Sequence, residues 1–177
     1  TAAVAEAARA FLHLAPELAA LEWITTDTVP DAAALSWRAP ALTGQSVAYL
    51  QYTSGSTASP KGVVIRHENL LYTLADIDAA LVHDSDSVMV SWLPVYHDMG
   101  LIYGLLQPIA QGFKGVLTPP EAFLQRPLRW LELITRHRGT HNAAPNFAFD
   151  LCAQRATPEA LATLDLSSWR GAVIAAE

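Results

Sequence analysis

Residues suited to binding a polyphosphate are concentrated between Thr53 and Lys61. This segment reads Thr-Ser-Gly-Ser-Thr-Ala-Ser-Pro-Lys, a run of hydroxyl side chains with one glycine and one lysine. Hydroxyl and backbone N–H groups donate to phosphate oxygens, Gly55 lets the backbone approach a ligand closely, and Lys61 supplies a positive charge. The same residue types are common in polar connections between strands, and composition alone favours that interpretation.

The order of the residues excludes the best-known phosphate loop. A Walker A motif has Gly directly before its Lys and Ser or Thr directly after it. Here Pro60 precedes Lys61 and Gly62 follows it. A P-loop phosphotransferase is therefore not expected.

His97 is the histidine whose position best suits chemistry. It follows an almost continuously apolar segment, residues 87–93, and precedes a predicted helix. Loops in this position build the sites of α/β proteins. Asp98 is its neighbour and is placed to orient its ring. The remaining histidines are interpreted as core or surface residues, which is the commoner role: His13, His67, His83, His137 and His141.

Two hydrophobic periodicities alternate along the chain and predict the elements that position these residues. Short apolar or alternating runs predict strands at 47–52, 62–65, 87–93, 115–118, 140–144 and 171–176. Helical composition or spacing predicts helices at 2–14, 69–83, 100–110, 127–139 and 147–155, with a bend or end near Pro108 and a stop at Gly139. Residues 27–43 are rich in Pro, Ala and Ser and predict a surface connection. The fold class is therefore α/β, a layered β-sheet with flanking helices.

Composition limits the classes of protein that fit. The 177 residues are 51% hydrophobic and 16% charged, which excludes a disordered chain. The net charge of -6 does not favour nucleic-acid binding, and no apolar run reaches the roughly 20 residues that span a bilayer. The single cysteine, Cys152, excludes an internal disulfide framework and fits a reducing compartment. A cytoplasmic protein with no membrane span and no nucleic-acid partner is expected.

Both termini suggest a piece of a longer protein. The chain begins at Thr1 without Met, and Glu177 directly follows an apolar run that predicts a buried strand. A natural domain usually ends in an exposed polar segment. A processed terminus is the alternative.

Five segments resemble the adenylate-forming superfamily. Residues 52–62, Tyr-Thr-Ser-Gly-Ser-Thr-x-x-Pro-Lys-Gly, are similar to its phosphate-binding signature. Four further runs, in this order, resemble its fatty acyl-AMP ligase branch: residues 91–102, 123–131, 145–152 and 164–170. The resemblance extends from about Ala15 to the end of the chain. It implies that residues 1–177 are a partial N-terminal AMP-binding domain, without the mobile C-terminal domain.

The resemblance also implies an activity. Members of this family join a carboxylic acid to ATP with Mg²⁺, release pyrophosphate and form an acyl-adenylate. Fatty acyl-AMP ligases then pass the acyl group to the thiol of an acyl carrier protein, commonly for polyketide, lipopeptide or complex-lipid synthesis. The implied partners are thus a fatty acid, a carrier protein and the remainder of the parent chain.

Site residues follow from the same resemblance. The phosphate-binding residues would be Thr53, Ser54, Gly55, Ser56, Thr57, Lys61 and Gly62, and Glu177 would lie beside the adenine. His97 would act where the substrate carboxylate meets the α-phosphate. The substrate-binding residues would be His97, Asp98, Met99, Gly100, Ile102, Asn146 and Phe147. All of these except His97 and Asp98 would line the acyl channel, although plain core packing explains the apolar ones equally well.

Two departures from the family pattern and several missing motifs leave alternatives open. Ala58 and Ala175 stand where the pattern usually has glycine. The magnesium-binding Glu, the ribose-binding Asp and the catalytic Lys of the family belong to later motifs than this chain contains. We therefore expect residues 1–177 alone to have little or no ligase activity. The alternatives are an acyl-CoA synthetase, an amino-acid adenylation domain, or a non-catalytic remnant of the fold.

Overall fold

A computed structural model describes residues 1–53 and 60–175, which form two units, Thr1–Ala41 and Leu42–Glu177. The first unit consists of short helices. Helix α1, Ala2–Arg9, begins where the carboxylate of Asp27 accepts hydrogen bonds from the Ala2 N–H at 2.8 and 3.0 Å. Because α1 ends at Arg9, it is shorter than the helix predicted over residues 2–14. The other elements of this unit are α2, Pro16–Ala19, and 3-10 helices at Leu12–Leu14, Thr26–Thr28 and Asp31–Ser36.

The second unit begins with an antiparallel hairpin. Strand β1, Val47–Thr53, pairs with β2, Lys61–Arg66, so that Thr53 lies opposite Lys61. Both predicted strands are confirmed. The hairpin brings the two ends of the hydroxyl-rich segment side by side.

A four-stranded parallel sheet forms the centre of the second unit. Its strands are β3, Val88–Ser91; β4, Lys114–Leu117; β5, His141–Ala144; and β6, Gly171–Ile174. Their order is β4-β3-β5-β6, and every neighbouring pair is parallel. The four predicted strands are confirmed. All four end at the same edge, here called the carboxyl edge.

Helices connect the strands and cover both faces of the sheet. They are α3, His67–Leu81; a π-helix, Gly100–Leu106; α4, Gln107–Gln111; α5, Pro120–Gln125; α6, Leu128–His137; α7, Asn146–Arg155; and α8, Pro158–Leu161. The π-helix packs over Ser91, whereas the Trp130 indole N–H of α6 donates to the Val90 carbonyl at 3.3 Å on the other face. The predicted layered α/β fold is confirmed.

The helix predicted over residues 100–110 is divided next to Pro108, as expected. The π-helix ends at Leu106, and α4 begins at Gln107 with Pro108 in its first turn, where its missing N–H is not needed. The end of α6 differs from prediction. Helix α6 ends at Arg138, whose left-handed φ of 52° takes the place expected for Gly139. The Gly139 N–H still closes the turn by donating to the Ile134 carbonyl at 2.8 Å. The short helices α5 and α8 were not predicted.

Cys152 is buried in α7, and its reactivity should reflect that position. Its thiol is directed at the carbonyl of Pro127, and burial raises its pKa to about 11. Because the thiolate is the reactive form, we expect iodoacetamide at pH 8 to modify the native protein far more slowly than the unfolded protein. Mass spectrometry of quenched samples measures both rates. Equal rates would contradict this placement.

An ion pair joins the turn before β3 to the residue before β6. Arg170 donates to both carboxylate oxygens of Asp84, at 2.6 and 3.0 Å, and to Ser87 Oγ at 2.9 Å. The Arg170 hydrogen bond holds the pKa of the Asp84 carboxyl well below its usual range, with help from Ser87 and the Asp86 N–H. Asp84 therefore stabilises the fold above its unfolded pKa, and this contribution declines as pH falls toward the lowered value.

Arg170→Ala should therefore reduce stability more at pH 7 than at pH 3. Urea midpoints at the two pH values measure the difference from wild type. Arg9→Ala is the control, because Arg9 pairs with Glu6 within one exposed helix at 3.2 Å. An equal loss at both pH values in Arg170→Ala would contradict the linkage.

Candidate active site at the carboxyl edge of the sheet

The carboxyl edge brings together three of the predicted segments. The segment that contains His97 follows β3, the Asn146 segment follows β5, and Ala175 follows β6. The Ala175 N–H also donates to the carbonyl of Ala144, at the end of β5, at 3.4 Å. Ligands of open α/β sheets bind at this edge, because loops from adjacent strands meet there.

His97 and Asp98 face each other across a short contact. Nδ1 of His97 lies 2.7 Å from Oδ1 of Asp98, and the Met99 N–H donates both to that oxygen at 2.7 Å and to Nδ1 at 3.3 Å. The main chain is fixed as well, since the His97 N–H donates to the Pro94 carbonyl at 3.1 Å. Both side chains are about half exposed. Nδ1 faces the Asp98 carboxylate and the Met99 N–H, which leaves Nε2 as the ring nitrogen that can meet a ligand.

A cleft lined by both polar and apolar residues, here called the polar cleft because it is the more polar of two, borders this pair. It has a volume of about 590 Å³ and lies between β1 and the segment after β3. Tyr49 lines it, and burial together with the charge of Asp98 raises the pKa of its phenol. The other lining residues are Leu50, Gln51, Tyr52, Val95, Tyr96, His97, Asp98 and Leu101.

A mainly apolar cavity also borders the pair, with a volume of about 730 Å³. It is bounded by α3, the π-helix and β6. Its lining residues are Thr73, Ile77, Ala80, Leu81, His97, Asp98, Met99, Ile102, Tyr103, Val173 and Ala175. His97 and Asp98 thus line both the polar cleft and the apolar cavity.

The structure brings together part of the predicted acyl-channel set. Met99 and Ile102 line the apolar cavity together with His97 and Asp98. Gly100 is buried beside them and packs against the carbonyl of Pro94. In contrast, Asn146 and Phe147 open helix α7 outside the residues that line the cavity, and Phe147 packs edge-on against Trp92, with 6.2 Å between ring centroids.

The structure describes only the two ends of the segment that is predicted to bind phosphate. Thr53 pairs with Lys61 across the hairpin, and Lys61 is exposed. At Gly62, a Cβ atom would lie 3.2 Å from the ring of Tyr52, so glycine permits the tyrosine to cross the strand there. The remaining predicted residues lie outside the described part of the chain: Ser54, Gly55, Ser56, Thr57 and Glu177.

Sequence reasoning missed the wall that α3 contributes. The helical spacing of Leu70, Leu71, Leu74, Ile77 and Leu81 predicts an amphipathic helix but not the surface that its apolar face contacts, and Leu71 is exposed. Tyr49 was also missed, because the pattern of its strand does not show that the segment after β3 lies beside it. The contribution of β6 depends on the order of strands in the sheet, which hydrophobic periodicity does not encode.

Within residues 1–53 and 60–175, the side chains form no group of three or more potential metal ligands of the His, Cys, Asp or Glu type. In the same described residues, no helix has the length and hydropathy that a membrane span requires.

The fold and the paired cavities define the class of protein. An α/β sheet carries, at its carboxyl edge, a histidine that lines both a polar cleft and an apolar cavity, and strand β1 of the hairpin borders the cleft. A family model described as AMP-binding enzyme matches residues 4–177. The chain therefore belongs to the AMP-binding enzymes.

Individual relatives agree with this assignment. The chain is 45% identical over 165 residues to the medium-chain-fatty-acid–[acyl-carrier-protein] ligase JamA of Moorena producens (strain JHB), covering 93% of this chain and 28% of JamA. It is 50% identical over 128 residues to the long-chain-fatty-acid–AMP ligase FadD23 of Mycobacterium tuberculosis (strain CDC 1551 / Oshkosh), covering 69% and 22%. The chain thus spans about a quarter of the length of these curated relatives.

A solved structure with the same fold supports the family assignment. The fatty acyl-adenylate ligase from L. pneumophila, in complex with acyl adenylate and pyrophosphate, superposes with a TM-score of 0.78 at 42% identity. The match covers 84% of this chain and 26% of that one.

Proposed function

We propose that residues 1–177 are part of the N-terminal AMP-binding domain of a fatty acyl-AMP ligase. The complete enzyme would activate a fatty acid with ATP, release pyrophosphate and transfer the acyl group to the thiol of an acyl carrier protein. One observation carries the proposal: His97 and Asp98 line both a polar cleft and an apolar cavity. A carboxylate whose hydrocarbon chain lies in the cavity would meet a nucleotide in the cleft at this pair.

The proposed reaction is a displacement at phosphorus. A carboxylate oxygen attacks the α-phosphorus of ATP, the bond to the bridging oxygen breaks, and pyrophosphate leaves with that electron pair. Catalysis of this kind depends on positioning and on stabilisation of charge. Nε2 of His97 would donate a hydrogen bond to the reacting oxygens, while Asp98, through Nδ1, would hold the ring in place.

The hydroxyl-rich hairpin would bind the leaving pyrophosphate. Lys61 is exposed at the start of β2, opposite Thr53, where the segment between them begins and ends. Its ammonium group would offset the charge of the β- and γ-phosphates, with Ser54, Gly55, Ser56 and Thr57 as further donors. Mg²⁺ bound to ATP would share that charge. Glu177 would lie beside the adenine.

The relatives support the choice of substrates. JamA is named for a medium-chain fatty acid and an acyl carrier protein, FadD23 is named for a long-chain fatty acid, and the Legionella ligase holds acyl adenylate and pyrophosphate. The mainly apolar cavity suits a hydrocarbon chain. We place the reaction in the cytoplasm, where ATP is available and an unpaired Cys152 stays reduced.

Acid-dependent exchange between ATP and pyrophosphate tests the proposal in the full-length protein that contains these residues. We expect exchange with dodecanoate and not with amino acids, and a loss of about 100-fold in Lys61→Ala. Lys114→Ala is the matched control, because Lys114 is exposed at the start of β4, away from both cavities. Exchange with amino acids instead would identify an amino-acid adenylation domain. No exchange with any acid would favour the non-catalytic remnant.

A further inference from the structure

The apolar cavity runs from the carboxyl edge of the sheet toward its amino edge. His97, Asp98 and Ala175 form its outer end, since they follow the carboxyl ends of β3 and β6. Leu81 lies at the opposite end, where its carbonyl oxygen is 3.2 Å from Nε2 of His141, the first residue of β5. The cavity therefore has a defined outer end and a defined inner end.

Helix α3 forms one wall along the whole of this depth. Thr73, Ile77 and Ala80 line the cavity at spacings of four and three residues, which places them on one face of the helix. Thr73 and Ala80 are seven positions apart, which corresponds to a rise of about 10 Å along the helix axis. Ile102 and Tyr103 of the π-helix also line the cavity.

The inner end combines a small side chain with a fixed aromatic ring. Ala80 contributes one methyl group beside Leu81. Tyr103 is 4% exposed, and its ring lies 5.9 Å from that of His83, which in turn stacks on Phe113 at 4.9 Å. The ring is thus held by packed neighbours, whereas the space beside Ala80 depends on the size of that one side chain.

We propose that Ala80 sets the length of the acyl chain that this site accepts, an inference that rests on the proposed fatty-acid substrate. An acyl chain held at His97 runs along α3 past Ile77, and its last methylenes contact Ala80. A larger side chain at Ala80 fills that space and excludes those methylenes. Each buried methylene contributes roughly fourfold in affinity, so the loss of two amounts to about 15-fold.

Membership of the AMP-binding enzymes does not by itself determine the acyl chain length that a site accepts. The relatives named for medium-chain and for long-chain acids match the chain at 45% and 50% identity. Overall similarity to these relatives therefore does not predict the acyl chain length, and Ala80 is a small residue at the inner end of the described cavity.

The test compares Ala80→Leu with Ala79→Leu in the full-length protein. Ala79 is the adjacent residue of α3; both alanines are exposed, but only Ala80 lines the described cavity, and leucine suits an exposed helix at both positions. Binding of hexanoate, decanoate and hexadecanoate is measured without ATP by displacement of a fluorescent fatty acid. We expect Ala80→Leu to weaken decanoate and hexadecanoate binding by about 15-fold each, because both chains reach Ala80, and hexanoate binding by less than twofold. Ala79→Leu should match wild type.

The outcomes separate this inference from the proposed function. Identical length profiles in the two variants, or no binding of any acid by wild type, would overturn the role of Ala80. A shifted profile in a protein that shows no ATP–pyrophosphate exchange would support the role of Ala80 and refute the ligase activity. ATP–pyrophosphate exchange with an unshifted length profile would support the ligase activity and refute the role of Ala80.

Discussion

His97→Ala is expected to slow fatty-acid-dependent ATP–pyrophosphate exchange by about 100-fold in the full-length protein, the usual effect of removing one hydrogen-bond donor from a developing charge. Nδ1 of His97 accepts from the Met99 N–H and lies 2.7 Å from the Asp98 carboxylate, so a single ring nitrogen remains to meet the reacting oxygens. The side chain is half exposed, and its removal should leave the unfolding midpoint unchanged. Exchange rates at saturating ATP and acid measure the effect.

Two further variants define the role of this pair. His13→Ala is the control for histidine removal, because His13 is exposed in a 3-10 helix of the first unit. Asp98→Asn retains the side-chain shape and removes the charge, so we expect a smaller decrease in exchange and a changed pH profile. Wild-type exchange in His97→Ala would contradict the assigned role.

Gly100→Ala is expected to destabilise the protein by about 3 kcal/mol, at the upper end of overpacking effects. A Cβ atom at this position would lie 2.1 Å from the carbonyl oxygen of Pro94, closer than any tolerated contact, and the neighbour is backbone that cannot rotate away. That carbonyl also accepts the His97 N–H. Exchange should therefore fall even at temperatures where the variant remains folded.

A second glycine provides the control. A Cβ atom at Gly115 would meet Pro108 at 3.4 Å, an ordinary contact, so Gly115→Ala should change stability by less than about 1 kcal/mol. Urea unfolding monitored by tryptophan fluorescence measures both variants. Equal stability of Gly100→Ala and wild type would show that the segment between Pro94 and Gly100 adjusts freely.

Local sequence patterns predicted the strands well because each strand carries its own signal. The segment around Met89 and Val90 is apolar on both faces, as a central parallel strand requires, and both side chains are fully buried. The two hairpin strands were equally clear, since an alternating run, residues 47–52, precedes the hydroxyl-rich segment and an apolar run, residues 62–65, follows it. The α/β class followed from these signals without any knowledge of pairing.

Geometry that depends on distant contacts was not predictable in the same way. The π-helix at Gly100–Leu106 has the composition of an α-helix, and its form depends on the approach of Gly100 to Pro94 and of Gly104 to Ser91. The walls of the apolar cavity come from elements nearly 100 residues apart. For that reason the motif resemblance identified His97 and Asp98, whereas Tyr49 and Ala80 emerged only from the structure.

The central claim is that His97 lies where a polar cleft for the nucleotide meets an apolar cavity for the acyl chain. A crystal structure of the full-length protein with a dodecanoyl-adenylate analogue, in which a sulfamoyl group replaces the phosphate, tests it most directly. We expect the acyl chain between Ile77 and Ile102, and the sulfamoyl oxygens about 3 Å from Nε2 of His97. An acyl chain bound elsewhere, with the cavity beside α3 left empty, would contradict the claim.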